Sequence, residues 1–224
     1  MKIKTVDLTK KYRIGPSEIT AVDNVSFEVD EAKFIVIIGP SGSGKSTLLN
    51  LVGLNDSPTH GKVFIDDIDT SMLSNSSRRK IRLSRMGFVF QTFNLFPTLN
   101  SLENVEMPMS LAGVSRKQQN EKALTLLDAV GLHARASHRP KELSMGEMQR
   151  VAIARALAND PEVIIADEPT GELDSRTAKE IASLLFEIKR NEKTTVIVAT
   201  HDEKVVDVAE EVYTIQDGKL KSEN

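Results

Sequence analysis

Residues 39–47, Gly39-Pro40-Ser41-Gly42-Ser43-Gly44-Lys45-Ser46-Thr47, fit the pattern G-x-x-x-x-G-K-[ST] of a phosphate-binding loop. The spacing suits a compact polyanion. Backbone N–H groups must converge on it with no side chain in the way, which Gly42 and Gly44 permit, and the following helix adds the positive end of its dipole. Lys45 then offers a cation to β- and γ-phosphates, and Ser46 an oxygen to Mg²⁺. A second group is Val163-Ile164-Ile165-Ala166-Asp167-Glu168, an apolar run closing on two carboxylates. Alone it reads as an acidic pair ending a strand. Behind a phosphate loop it reads as a Walker B segment, with Asp167 holding Mg²⁺ through water and Glu168 as general base for an attacking water. A third is Leu143-Ser144-Met145-Gly146-Glu147-Met148-Gln149-Arg150, where Ser144 and Glu147 form the S-x-x-E capping box that opens a helix. An uncovered helix N-terminus carrying Ser144 and Gly146 is also a place for an anion.

Something must bring these distant groups together. Four short, nearly all-apolar runs, Phe34–Ile38, Gly87–Phe90, Val163–Ala166 and Thr195–Ala199, have the character of strands buried on both faces of a parallel sheet. The first enters the glycine loop, the second meets Gln91, the third meets Asp167-Glu168, and the fourth meets Thr200-His201. Ligands of open α/β sheets lie beyond the carboxyl ends of the strands, so these groups are expected to share one site. Val22, Val25, Phe27 and Val29 predict one half-buried antiparallel strand, and Gly61–Asp67 another. Ile181, Leu184, Leu185 and Ile188, and Ala123, Leu124, Leu127 and Val130 before Gly131, predict helices with one buried face. The segment from about 92 to 140 carries no parallel-strand run and is expected to be mostly helical.

The 224 residues, 40% of them apolar, suffice for one α/β domain with an insertion. A net charge of −3 gives no nucleic-acid footprint, and Arg78-Arg79-Lys80 reads as a solvated run. There is no cysteine, hence no disulfide or thiolate chemistry. No run approaches the ~18 apolar residues of a membrane span, and Met1-Lys2-Ile3-Lys4 lacks the apolar core of a signal peptide. Any work at a membrane is therefore expected to go through a partner.

The phosphate loop, Leu143-Ser144-x-Gly146, the Walker B run with Glu168, Gly171-Glu172-Leu173-Asp174 and His201, in this order, resemble an ABC-transporter nucleotide-binding domain over nearly the whole chain. The resemblance implies an α/β fold: a P-loop core with a mostly parallel sheet, an N-terminal antiparallel β region and an inserted helical subdomain. It divides the chain into a core of about 1–91 and 155–224 and an insertion of about 92–154. It further implies that Tyr12 lies against adenine, that Gln91 touches Mg²⁺ and a membrane partner, and that His201 contacts the γ-phosphate. It assigns Ser144, Gly146, Glu147 and Asp174 to a site completed in trans, in a head-to-tail homodimer holding two ATP molecules. The implied reaction is Mg²⁺-dependent ATP hydrolysis driving integral membrane permease subunits, with this chain peripheral on the cytoplasmic face of the cell membrane and no nucleic-acid partner.

Two residues depart from the usual Leu-Ser-Gly-Gly-Gln signature: Met145 and Glu147 replace Gly and Gln. The Glu keeps the capping box but is expected to add negative charge near an anion site, weakening trans binding or slowing turnover. Gly87–Pro97 and Glu103-Asn104-Val105 resemble the lipoprotein-release, macrolide-export and cell-division branch. Phe93, Leu95, Phe96, Pro97 and Leu99 follow Gln91 without a clear period, and the resemblance places a docking surface for the membrane subunit there. The alternative is a nucleotide-gated scaffold that signals through a membrane protein without moving a substrate. A non-transport ABC ATPase fits less well, since the chain has a single phosphate loop and no sustained heptads.

Overall fold

The computed structural model describes residues 1–192 and 194–222. In chain order, β1 (Ile3–Ile14), β2 (Ser17–Val25), β3 (Glu28–Val29) and β4 (Phe34–Ile38) lead to α1 (Lys45–Val52). Next come β5 (His60–Ile65), β6 (Ile68–Asp69), α2 (Asn75–Arg85) and β7 (Met86–Phe90). Helices α3 (Ser101–Leu111), α4 (Arg116–Ala129) and α5 (Met145–Leu157) precede β8 (Val163–Asp167) and α6 (Ser175–Glu192). The chain closes with β9 (Thr195–Thr200), α7 (Glu203–Val206), β10 (Glu211–Gln216) and β11 (Lys219–Ser222).

Two sheets result. One is antiparallel, in the order β2-β1-β5-β6 with β3 added to β1. The other runs β11-β10-β4-β9-β8-β7, parallel except for the β10–β11 hairpin. The four apolar runs are β4, β7, β8 and β9, side by side in this second sheet. Their side chains alternate between two apolar clusters. Phe34, Val36, Val89, Ile164, Ala166, Val196 and Val198 pack with residues of α3–α6. Ile35, Ile37, Val163, Ile165, Ile197 and Ala199 pack with Leu48 and Leu51 of α1 and Ile3 and Val63 of the antiparallel sheet. Cover on both faces explains why these strands read as unbroken apolar runs.

Between β7 and β8 the described residues form no strand, as expected, and α3, α4 and α5 pack on one another. In the predicted stripes Ala123, Leu127, Val130, Ile181, Leu185 and Ile188 are buried, while Leu124 and Leu184 are partly so. Two features differ from expectation. The strand anticipated over Val22–Val29 is broken: β2 ends at Val25, just after Asn24 takes a left-handed conformation (φ 52°), and pairing resumes only at Glu28. The Thr5 hydroxyl fills the break, donating to the Val25 carbonyl and accepting from the Phe27 N–H. The helix α2 has no counterpart among the sequence expectations. It buries no residue fully and offers only Ile81 and Leu83 as large apolar side chains in an arginine-rich run, which the sequence reading took as solvated surface, and it starts at a Ser74 cap that accepts from the Ser77 N–H.

Candidate functional site

The carboxyl edge of the parallel sheet gathers the groups that the sequence keeps apart. The loop from β4 into α1 passes tightly over its neighbours. A Cβ at Gly39 would stand 2.2 Å from the Ile215 carbonyl oxygen, and Gly44, at φ 108°, brings its Cα toward the Ala21 carbonyl so closely that a Cβ would lie 2.1 Å away. Pro40, Ser41, Gly42 and Ser46 face solvent, while Ser43 and Lys45 are turned in. The Ser43 carbonyl accepts from the Gly218 N–H, and its buried hydroxyl has no partner.

Lys45, 7% exposed, is held by three oxygens. Its ammonium donates to the Gly39 and Pro40 carbonyls at 2.8 and 3.2 Å and stands 3.3 Å from Glu168 Oε1. Glu168 sits at φ 47°, an uncommon conformation for a residue other than glycine, and its N–H is fixed on the Ala199 carbonyl of β9. Its other oxygen lies 2.9 Å from His201 Nδ1, close enough for an ion pair but not aligned as a hydrogen bond. Glu168 is 14% exposed and His201 69%. One residue earlier, Asp167 Oδ1 accepts from the Ser46 hydroxyl at 3.0 Å. Burial pushes the Asp167 carboxyl up; the neighbouring Glu168 adds to this, and Ser46 and Lys45 oppose it. Lys45, Ser46, Asp167, Glu168 and His201 thus form one cluster drawn from three parallel strands. Mg²⁺ takes one or two protein oxygens and completes its shell with phosphate and water. The paired Ser46 and Asp167 oxygens fit that donor set.

Tyr12 lies on β1 beside the first turn of α1, its hydroxyl donating to Asp56 at 2.9 Å with Thr47 also in hydrogen-bond reach. Lys10 stands 5.0 Å from the ring centroid. Gln91, at the end of β7, is exposed and donates to Glu172 Oε1 at 3.0 Å, which ties its loop to the segment after β8. Asp174 caps α6, accepting from the Arg176 and Thr177 N–H groups and the Thr177 hydroxyl.

Ser144 and Gly146 open α5. The Ser144 hydroxyl accepts from the Glu147 N–H, and Glu147 accepts from the Ser144 N–H at 2.8 Å, so the expected capping box is present. A Cβ on Gly146 would meet Thr177 Cγ2 at 2.6 Å. Met145 is half exposed. The Glu147 charge has a counter-ion that the sequence reading did not foresee: its Oε1 takes the Arg135 guanidinium at 3.0 Å. Among the described residues no hydrogen bond or ion pair joins this turn to the phosphate loop.

Three residues fix the surroundings through contacts that sequence reasoning did not foresee, although Asn104 and Gln149 lie in segments it singled out. Buried Asn104 binds the Phe96 N–H and the Phe96, Leu99 and Asn100 carbonyls, setting the loop after Gln91. Arg155 donates to the Phe93 and Asn94 carbonyls of the same loop. Gln149 is fully buried and donates to the Pro169 carbonyl, joining α5 to the segment after Glu168. None carries a spacing signal; each acts through a contact distant in sequence.

The family profile described as ABC transporter matches residues 22–171. The chain belongs to the ABC transporter family. A Methanocaldococcus jannaschii protein described as an uncharacterized ABC transporter ATP-binding protein, MJ0796, is 46% identical over 99% of this chain and 96% of its own. A solved dimer of that ATP-binding cassette, in a post-hydrolysis state bound to ADP and Pi, superposes with a TM-score of 0.92 at 44% identity, covering 99% and 98% of the two chains. The lipoprotein-releasing system ATP-binding protein LolD of Hyphomonas neptunium is 41% identical over 97% of this chain and 96% of its own. The macrolide export ATP-binding/permease protein MacB of the same organism is 43% identical over 99% of this chain but only 34% of that longer protein. This member of the ABC family is an ATPase subunit using ATP and Mg²⁺, of the lipoprotein-release and macrolide-export branch.

Proposed function

We propose that the cluster at the carboxyl edge of the sheet binds and hydrolyses MgATP between two copies of this chain and drives permease subunits of a transporter. The observation that carries the reading is the meeting of Lys45, Glu168 and His201 beside the Ser46–Asp167 pair. On binding, the loop N–H groups from Gly39 to Thr47 surround the phosphates, and Lys45 exchanges Glu168 for the β- and γ-phosphates. Ser46 and Asp167 would hold Mg²⁺, which would supply charge neutralisation at the phosphates, and Gln91, released from Glu172, would add its side-chain oxygen. Tyr12 offers its ring to adenine. Glu168, freed of Lys45 and fixed by its backbone bond to β9, takes a proton from the attacking water at a carboxylate oxygen, while His201 contacts the γ-phosphate. Ser144 and Gly146 of the second copy supply donors from the far side, with Asp174 setting the neighbouring α6 end. The Ser144 hydroxyl uses a lone pair in its cap, and its proton would turn from the Glu147 carboxylate to the phosphate for that role.

The partner at the membrane docks beside Gln91. Of Phe93, Leu95 and Phe96, Phe96 is the exposed one at 44%, whereas Phe93 and Leu95 are half-buried and Leu95 packs on the core. Phe96 borders a cleft of about 390 Å³ with Phe88, Phe90, Met107, Leu111 and Arg82. No described helix is long and apolar enough to cross a membrane; attachment through that cleft, on the cytoplasmic face of the membrane, is part of the proposal. The test is Glu168→Gln, which removes the base and keeps a hydrogen-bonding side chain. The variant should run on size exclusion as a dimer with ATP and as a monomer with ADP. A monomer under both conditions refutes the sandwich.

A further inference from the structure

Among the described residues, Glu147 is the acidic side chain bonded directly to the turn that carries Ser144. Its Oε2 takes the Ser144 N–H at 2.8 Å and its Oε1 takes Arg135 Nε at 3.0 Å. Arg135 approaches from a short 3₁₀ turn, His133–Arg135, twelve residues earlier in the chain. Its Nη1 lies 3.2 Å from His138 Nε2, and the His138 carbonyl accepts the Ser101 N–H at the start of α3. The guanidinium is therefore held on two sides, by a ring anchored to α3 and by the carboxylate of α5. The Glu147 carboxyl lies below its ordinary range, first because of the Ser144 N–H and further because of the Ser144 hydroxyl and Arg135, so it is ionised at neutral pH. A bare carboxylate one hydrogen bond from an anion-binding turn would repel that anion. A guanidinium cannot lose its proton at any pH where the protein works, so it cancels the charge permanently.

We propose that Arg135 is a positioning residue for the trans site. It neutralises Glu147 and pins its capping geometry, so that the Ser144–Gly146 turn offers donors to the other protomer's ATP without presenting a net negative charge. Glu147 and Arg135 act as a pair, which makes a carboxylate tolerable where the family signature usually carries an amide. The inference rests on the ATP sandwich described above.

The test is a double-mutant cycle in the Glu168→Gln background, with ATP-driven dimerisation followed by sedimentation at low salt and MgATP binding to the monomer followed by calorimetry. One unneutralised charge several Å from the phosphates is worth about fivefold per site, and the dimer holds two such sites, so Arg135→Ala should weaken dimerisation roughly twenty-five-fold. Monomer affinity for MgATP should be unchanged, and the deficit should shrink as salt rises. Adding Glu147→Gln to Arg135→Ala removes the stranded charge and keeps a capping oxygen. It should restore dimerisation to within about threefold of the parent. Arg135→Lys keeps the cation and should stay near the parent, which separates charge from any loss of folding seen as a lower melting temperature. A dimerising parent with an unaffected Arg135→Ala variant overturns the inference alone. A double variant as weak as Arg135→Ala also overturns it, since a purely structural arginine gains nothing from Glu147→Gln. A parent that stays monomeric in ATP overturns the sandwich and the inference with it.

Discussion

In the nucleotide-free protein Lys45 is a structural cation before it is a ligand, and Lys45→Ala should expose this in stability. The ammonium and Glu168 are 7% and 14% exposed and 3.3 Å apart. Their gross attraction is ~5 kcal/mol at an effective dielectric of about 20. Removing one member of a buried pair typically costs about 3–5 kcal/mol, because the other charge is left stranded. Glu168 keeps 14% of its side chain in solvent, so the stranded carboxylate is partly rehydrated once the Lys45 side chain is gone, which lowers the cost to about 2–3 kcal/mol. For a chain of this length that lowers the melting temperature by roughly 4–12 °C. The assay is thermal unfolding by circular dichroism without nucleotide, on Lys45→Ala, Glu168→Gln and the double variant. Most of the loss comes from the stranded carboxylate, so the double variant should recover at least half of it. Two results would refute the reasoning: Lys45→Ala melting with the parent, or a double variant no more stable than Lys45→Ala.

Two further outcomes follow from the same geometry. Asp167 has a folded-state pKa raised by burial, so the stability linked to its protonated form is present at low pH and lost as pH rises through that value. Asp167→Asn should therefore melt above the parent at neutral pH without nucleotide, with the gap closing as pH falls, while Mg²⁺-dependent hydrolysis is lost; a gap that widens toward low pH would contradict the sign. Phe96→Ser should leave MgATP affinity of the isolated subunit within about twofold and cut capture of the permease subunit at least tenfold, since an exposed aromatic anchor is worth ~2 kcal/mol at an interface; normal capture in a pull-down would place docking elsewhere.

Much of this site is legible in sequence because its requirements are local. A loop that wraps phosphates must be glycine-rich and must sit between a strand and a helix, and residues 34–52 meet both conditions in one stretch. Strands covered on both faces must be apolar at every position, which exposes β4, β7, β8 and β9 and, at their ends, Gln91, Glu168 and His201. What escapes is whatever depends on a partner far along the chain. The helix α2 has no fully buried residue and only two large apolar ones, Ile81 and Leu83, so its arginine-rich run reads as surface. The break after Val25 is bridged by the hydroxyl of Thr5, far back in the chain. The neutralisation of Glu147 depends on Arg135, which no motif includes, and without it the glutamate reads as an uncompensated charge.

Three of the proposed phosphate- and metal-facing groups are bonded to other groups of the protein. Lys45 rests on Glu168 and two carbonyls, Gln91 on Glu172, and the Ser46 hydroxyl on Asp167. Entry of ATP is then an exchange of partners. A bond from the protein to phosphate replaces one the protein made to itself, and the net affinity is the small difference between them. The exchange also distinguishes the nucleotides. On the proposed mechanism the γ-phosphate would draw Lys45 off Glu168 and Gln91 off Glu172, and once it is cleaved those acceptors would again be the nearest available. Glu168 would then serve the cycle twice, as base and as the counter-charge that takes Lys45 back. Its strained backbone, fixed by the bond to Ala199, holds the carboxylate within reach of both tasks. A replacement that abolishes the base, such as Glu168→Gln, must also remove the group that reclaims Lys45. The resulting ATP dimer should persist for both reasons together, through lost chemistry and through a less stable open state.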